Sequence, residues 1–189
     1  MAQAAQQEVS AREYPPAGRY ELDPAHTVVE FVARHMLSKV RGRFTDFSGW
    51  VEIDDDPSAS RAEVEIRPAS IQTNQEMRDG HLRSPDFLDV EAYPTLRFVA
   101  GEVRIVGERG FELDGELTIK DVTRPVTLTG EYLGRETDPY GQSVIAFTAR
   151  TTIDREAWGM TWNQALETGG LLVSKKVDIE LEVEAKLAS

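Results

Sequence analysis

One stretch of this chain departs from the pattern around it, and it reads Arg78-Asp-Gly-His-Leu-Arg-Ser-Pro-Asp-Phe-Leu-Asp-Val-Glu-Ala-Tyr-Pro-Thr-Leu-Arg-Phe98. Polar residues that are compatible with a helix run into a Ser-Pro-Asp turn, and an acidic aromatic segment, a Tyr-Pro pair and a strand follow. The segments on either side alternate apolar and polar residues, as β-strands do. We therefore expect a short helical insert around residues 73–92 that acts as a lid or plug between two strands.

The alternating segments predict a sheet. In the last and clearest one, apolar side chains at 177, 179, 181 and 183 alternate with charged ones from 176 to 184. Similar segments elsewhere give about eight long strands and a short one at 19–23, separated by hairpin signals rich in Asp, Pro and Gly. Each strand has one apolar and one charged face, which is the pattern of an antiparallel sheet with one side in water.

Two helical segments, near 73–83 and 154–159, are too small to cover such a sheet. A second sheet or closure into a barrel must therefore bury the apolar faces. Long strands favour a tall barrel over a sandwich, and we expect glycines within the strands to supply its bends and bulges; these are Gly42, Gly49, Gly115 and Gly130. The prediction is a mainly β protein: a flexible tail over 1–17 and one eight-stranded antiparallel barrel over 18–189.

The composition narrows the function. With a formal net charge of −12, the chain lacks the positive face of a general nucleic-acid or anionic-membrane binder. Because it has no cysteine, disulfides, thiolate nucleophiles and Cys-ligated metals are excluded. No apolar run reaches the roughly 20 residues that span a bilayer, so no integral membrane segment is expected. The start has no secretory signal, so a cytoplasmic location is expected, or a periplasmic or extracellular one if a leader has been removed.

Residues that could carry chemistry are scattered. His26 and His35 have opposite parity on one strand, and His81 lies apart in the insert, so no metal site is predicted. His35 is interpreted as a hydrogen-bonded core or pocket residue. On a helix Asp79 and Arg83, four residues apart, are expected to form an ion pair. No nucleophile elbow and no glycine-rich phosphate loop is present, so neither catalytic residues nor a cofactor is predicted.

The inward faces carry large apolar side chains interspersed with small ones. Such a set either fills a barrel or leaves room for one slender ligand, and the small residues favour a cavity. The predicted wall consists of Phe31, Ala33, His35, Phe47, Val64, Ile66, Leu96, Phe98, Leu113, Leu117, Phe147, Val177 and Ile179, and the predicted lid of Phe87, Leu88, Trp158 and Met160. Arg78, His81 and Arg83 are candidates for a polar head group, with pairing to Asp79, Asp86 or Asp89 as their structural alternative.

Several motifs together resemble the YceI-like family of lipocalin-like, polyisoprenoid-binding proteins. They are Leu22-Asp-Pro-Ala-His-Thr27 with Phe31 and His35, Val40–Phe44, Arg78–Phe87, Tyr93–Phe98, Gly115–Val126, Ile153-Asp-Arg155 with Gly159, and the last strand. Thr27 stands where the family usually has Ser, and Asp121 where it usually has Gly. The resemblance implies an extended eight-stranded barrel with a helical insert and an internal tunnel for isoprenoid-type lipids. Homodimers are common among similar proteins, and the resemblance supplies no catalytic residue.

Three hypotheses follow. The first is a non-catalytic protein that carries, stores or sequesters a polyprenyl or other amphiphilic lipid. The second is an enzyme that uses the barrel as a chamber for a lipid or polyketide-like substrate, with His35 as general acid or base. The third is a filled barrel that acts on a protein partner through its acidic surface.

Overall fold

The computed structural model describes residues 14–188. Helix α1 spans Glu76–Arg83, and short 3-10 turns span Pro57–Ala59, Pro68–Ser70 and Arg155–Trp158. The strands are β1 Gly18–Leu22, β2 Val28–His35, β3 Ser38–Phe44, β4 Phe47–Ile53, β5 Arg61–Ile66, β6 Ile71–Gln72, β7 Leu96–Val106, β8 Gly110–Ile119, β9 Val122–Thr137, β10 Ser143–Asp154 and β11 Val173–Leu187.

The strands close into one antiparallel barrel. Hydrogen bonds connect β1, β4, β5, β7, β8, β9, β10 and β11 in that order, and β11 then pairs with β1. The first strands are broken in two: β2 continues β1, β4 continues β3, and the short β6 follows β5 to pair with β3. Accordingly β11 pairs with β1 near its end, at Ala185, and with β2 earlier, at Ile179. The predicted eight-stranded antiparallel barrel is confirmed.

The barrel has two different ends. We call the end with the loop 54–60 and the hairpin tips 107–109 and 138–142 the upper end. The lower end carries the β2–β3 tip, the insert that follows β6, and the segment 155–172. Among residues 14–188 no helix has the length and hydropathy needed to cross a bilayer.

The insert begins with a cap on α1. The Gln75 side chain accepts a hydrogen bond from the Arg78 amide, which satisfies one of the free donors at the helix start. The predicted ion pair between Asp79 and Arg83 is wrong. Asp79 is buried and accepts hydrogen bonds from the Thr73 amide, at 2.8 Å, and from the Thr73 hydroxyl, because the chain turns back onto the helix there. Arg83 instead donates to the carbonyls of the 69–71 segment, at 2.8 Å each.

The lower half of the barrel is filled. Side chains from the insert and from the Arg155–Trp158 turn enter between the strands, and the Trp158 indole donates to the Leu117 carbonyl at 3.0 Å. Burial of each large apolar side chain contributes roughly 1.5–3 kcal/mol to stability. The buried members of this lower cluster are Ile71, Leu88, Leu96, Ile119, Ile153, Trp158 and Met160.

Three strand glycines make room for phenylalanine rings. A Cβ atom on Gly42 would lie 2.3 Å from the Phe31 ring, and one on Gly130 would lie 2.3 Å from the Phe111 ring. Gly115 stands in the same relation to Phe98, at 2.6 Å. The ladder keeps its register at Gly42 and Gly130, so no bulge lies there, whereas the β7–β8 register shifts beside Gly115. At all three positions the missing side chain leaves space for a neighbouring phenylalanine ring.

Candidate functional site

The upper half of the barrel encloses a cavity. The centre of a water-sized sphere can occupy about 150 Å³ of it, against the roughly 10–15 Å³ that holds one water molecule. Almost no polar atom is exposed on its wall, so it has few partners to offer water. Its lining includes Val64, Phe98, Leu113, Leu128, Phe147 and Ala149.

Aromatic rings form one side of the cavity. The Phe111 and Phe147 rings meet edge to face, with centroids 5.8 Å apart and planes at 89°. Tyr132 packs against Phe147 at 5.5 Å. Because Phe111 lies over Gly130, it contacts β9 and leaves the centre of the barrel open. The width of the cavity therefore depends on a glycine as much as on the rings.

The cavity stops at about half the height of the barrel. Along β7 its lining runs from Phe98 to Ile105. At about 3.3 Å per residue and a strand tilt near 40°, that is at most roughly 18 Å along the axis. Leu117, the cross-strand partner of Phe98 on β8, packs against the lower cluster. The side chains of that cluster form the floor of the cavity.

The structure divides the predicted wall and lid between the two halves. Four of the predicted residues, Val64, Phe98, Leu113 and Phe147, line the cavity. Nine do not line it and lie instead in or against the lower cluster: Phe31, Ile66, Leu88, Leu96, Leu117, Trp158, Met160, Val177 and Ile179. Alternation along a strand predicts which side chains point into the barrel, but not how high along the barrel axis each one lies. The insert fills the lower end, so inward residues there pack and do not line the cavity.

The other predicted wall and lid residues do not line the cavity either. Phe87 packs against His81 and Trp162 at the lower end, with ring centroids 5.0 and 5.4 Å away. Ala33 and His35 lie at the lower end of β2, next to the β3 hairpin. Phe47 is buried at the start of β4.

The predicted head-group residues hold the insert in place. Arg78 donates to the hydroxyl and the carbonyl of Thr73, at 2.7 and 2.9 Å. His81 lies 2.8 Å from the Asp86 carboxylate, as in the structural alternative. With Arg83 bound to backbone carbonyls, all three side chains are engaged at the lower end, and none of them lines the cavity.

Arg155 is an organising residue that the sequence argument missed. It is only 3 % exposed, and it donates to the carbonyls of Ser174, at 2.8 Å, Trp162, at 3.0 Å, and Met160. Burial lowers its pKa, against the opposing effect of the neighbouring carboxylates. Within residues 14–188 its Nη2 atom has no partner. The sequence signals were its position directly after β10 and its place in the Ile153-Asp-Arg155 motif, and neither shows which carbonyls the side chain contacts.

A cluster of charges fixes the break between β1 and β2. Asp23 lies 2.8 Å from His26 Nδ1 and 2.9 Å from Lys186 Nζ. The Thr27 hydroxyl donates to the Glu184 carbonyl and accepts from the Glu184 amide, so it replaces the missing ladder contacts. The hydrogen bond from His26, followed by that from Lys186, lowers the pKa of Asp23 to about 2, while Asp23 raises the pKa of His26.

The same cluster contains three groups that could ligate a metal ion. One ligand atom each from Asp23, His26 and Glu184 lies within 4.8 Å of the others. However, the Lys186 ammonium contacts the Asp23 carboxylate, so a cation would have to displace it. The cluster acts as an ion-pair network that ties the turn to β11.

Sequence comparison places the chain in a family. The profile described as the YceI-like domain matches residues 20–185, which is nearly the whole barrel. The chain belongs to the YceI-like family. The UPF0312 protein of Staphylococcus aureus strain USA300 is 38% identical over 172 residues, covering 89% of this chain and 98% of that protein. The resemblance recognised in the sequence motifs is thereby confirmed.

Solved structures share this YceI-like fold. The crystal structure of Burkholderia cenocepacia BcnA has a TM-score of 0.76 at 23% identity and covers 86% of this chain and 98% of its own. A polyisoprenoid binding domain from Saccharophagus degradans, implicated in plant cell wall breakdown, has a TM-score of 0.69 at 15% identity. That match covers 92% of this chain and all of the other. At these identities the two structures establish the fold.

Proposed function

We propose that this protein binds the apolar tail of an isoprenoid-type or similar amphiphilic lipid in the upper cavity, as a non-catalytic carrier, store or sequestering protein. The observation that carries the proposal is a hollow of about 150 Å³, closed at its floor and lined almost wholly by carbon. The Saccharophagus degradans domain, described as polyisoprenoid binding, supports the same class of ligand.

The driving force is the removal of a tail from water. Burial of about ten methylene equivalents contributes roughly 8 kcal/mol at about 0.8 kcal/mol each, part of which is offset by ordering the ligand. Since about 8.2 kcal/mol corresponds to a Kd of 1 μM, this offset places the expected Kd above about 1 μM. Because the wall offers so few polar partners, the length and width of the tail decide selectivity, and the head group contributes little.

The two other hypotheses receive less support. His35, the proposed general acid or base, lies at the lower end of β2 and does not line the cavity. A reaction in the cavity would need a different residue, and the wall offers little proton-transfer chemistry. The filled barrel of the third hypothesis describes only the lower half. We also propose a homodimer, which light scattering tests, and a cytoplasmic location, which cell fractionation tests.

A cavity-filling variant tests the proposal. Ala149 faces the cavity, and its neighbour Arg150 on β10 is exposed. We expect wild-type protein to bind a fluorescent prenyl or fatty-acyl probe, and Ala149→Phe to weaken binding about tenfold or more, since the added ring occupies the space of several methylenes. Arg150→Phe adds the same ring outside the barrel and is expected to bind as wild type.

The fold of each variant is checked by circular dichroism. If a folded Ala149→Phe protein binds the probe as tightly as wild type, the cavity is not the site. Mass spectrometry of natively purified protein after denaturation gives an independent readout, and a co-purifying lipid is the expected result.

A further inference from the structure

The tip of the β2–β3 hairpin has unusual residues for a tight turn. Only Met36 and Leu37 join the paired residues His35 and Ser38. Two-residue turns of this kind favour Asn and Gly, because they require positive φ angles. Met36 nevertheless has a φ of 52°, and Leu37 is 94% exposed. A strained turn that displays large apolar side chains to water needs a reason beyond the fold.

A second loop adds to this surface. The Met36 amide donates to the Leu172 carbonyl at 2.9 Å, which places the end of the 159–172 segment against the hairpin tip. Leu171 there is 45% exposed, and Met36 is 50% exposed. We call Met36, Leu37 and Leu171 the apolar tip. It projects from the lower end of the barrel.

Three cations stand next to the apolar tip. Arg34 and Lys39 face each other directly across the β2–β3 ladder, where like charges are destabilising. Lys176 of β11 borders the same shallow groove. Within residues 14–188 none of the three forms an ion pair. The carboxylate in the groove, Asp178, instead accepts a hydrogen bond from Thr152 at 2.7 Å.

We propose that the apolar tip inserts into the interfacial layer of an anionic phospholipid bilayer while Arg34, Lys39 and Lys176 contact the lipid phosphates. Apolar side chains next to basic ones are the pattern of shallow membrane insertion. The overall charge of −12 argues against a general anionic-membrane binder, but charges farther away than about 8 Å are largely screened in physiological salt. The cations beside the tip act at contact distance.

The size of the surface favours a bilayer over a protein partner. A stable protein interface buries about 800 Å² on each side around a packed apolar centre. Three separate side chains on two loop tips are too few for that, but they suffice for shallow insertion between head groups. Since the tip lies at the lower end of the barrel and the cavity in the upper half, the docked protein holds the cavity on the side away from the bilayer.

Vesicle co-sedimentation tests the docking. We expect the wild-type chain to sediment with phosphatidylcholine vesicles that contain phosphatidylglycerol, to sediment much less with pure phosphatidylcholine, and to bind the anionic vesicles less in high salt. Leu37→Asp and Lys39→Glu each remove a contact with the bilayer, and each is expected to weaken binding about tenfold or more. Matched controls at the upper end are Tyr140→Asp, at a side chain that is 90% exposed, and Arg135→Glu. Both are expected to bind as wild type.

Circular dichroism and tail binding in the cavity verify that each variant is folded, and they keep this result separate from the proposed function. Equal sedimentation of wild type and Leu37→Asp overturns the proposal, and so does wild-type protein that ignores anionic vesicles at low salt. A third outcome also overturns the proposal: wild type does not bind vesicles, and Leu37→Asp changes the oligomeric mass. The tip would then be a contact between protein molecules.

Discussion

The upper and lower halves of the barrel are built from the same strands but have different interiors. Both have apolar side chains at every second position, and both use a glycine to seat a phenylalanine ring. The lower half is filled because Leu88 and Trp158 enter from segments outside the strands. Within residues 14–188 the short loops at the upper end insert no comparable side chain, and the centre of this half is open. The segments between the strands thus decide which half of a closed sheet is solid.

Leucine truncations in the two halves should therefore differ in cost. Leu88→Ala leaves a new void in the packed half and is expected to lower the free energy of unfolding by about 2–5 kcal/mol. Leu113 already faces the cavity, so Leu113→Ala loses only transfer free energy, at most about 2.4 kcal/mol for three carbons at about 0.8 kcal/mol each, and is expected to cost less than Leu88→Ala. Denaturant unfolding measures both. Equal costs would mean that the upper half is packed in solution.

Substitution of Arg155 should destabilise the 159–172 segment that covers the lower end of the barrel. Arg155→Met has a similar length but no donors, and it leaves the carbonyls of Met160, Trp162 and Ser174 without their partner. We expect a loss of about 2–4 kcal/mol in the free energy of unfolding, with faster proteolysis within 159–172. Arg124→Met is the control, since exposed Arg124 donates to a single carbonyl, that of Ala157. If Arg155→Met leaves the free energy of unfolding unchanged, packing alone holds this loop.

The sequence predicted the strands better than the site. Alternation along a segment such as β11, with turn residues between segments, suffices to assign strands and their inward sides. Phe31 and Phe98 are indistinguishable by that criterion, yet one packs in the lower half and the other lines the cavity. Their difference depends on where the insert lies, and that depends on contacts such as Arg83 with the 69–71 carbonyls. The alternation of residues along one strand does not predict such contacts between distant segments.

Paired glycine substitutions sharpen the comparison further. In Gly130→Ala the new methyl group would lie 2.3 Å from the Phe111 ring and 2.4 Å from the Thr148 carbonyl oxygen, so both the ring and the β10 backbone must move. In Gly42→Ala it meets only side chains, those of Phe31 and Thr73 in the packed half. Overpacking is expected to lower the free energy of unfolding by about 1–3 kcal/mol in Gly42→Ala and by more in Gly130→Ala. Only Gly130→Ala should also weaken binding of the fluorescent tail probe. If both variants weaken binding equally, the ligand reaches into the lower half.

The smallest expected effect lies at the joint between the halves, where β1 gives way to β2. The pKa of His26 is raised, so its contribution to stability is complete below its ordinary value near 6.5 and is lost as the pH rises through the raised value. The pKa of Asp23 is lowered to about 2, so its contribution is present above about pH 4 and is lost as the pH falls towards 2.

Between about pH 4 and 6.5 both groups are therefore charged, and the ion pair contributes most. We expect the difference in unfolding free energy between wild type and His26→Gln to be greatest in that window and to shrink on either side of it. It should also fall with added salt, since the His26 side chain is 61% exposed. Urea unfolding across the pH range measures this difference. A difference that does not change with pH would assign His26 a steric role in the turn, and the joint would then depend on the Thr27 contacts with β11.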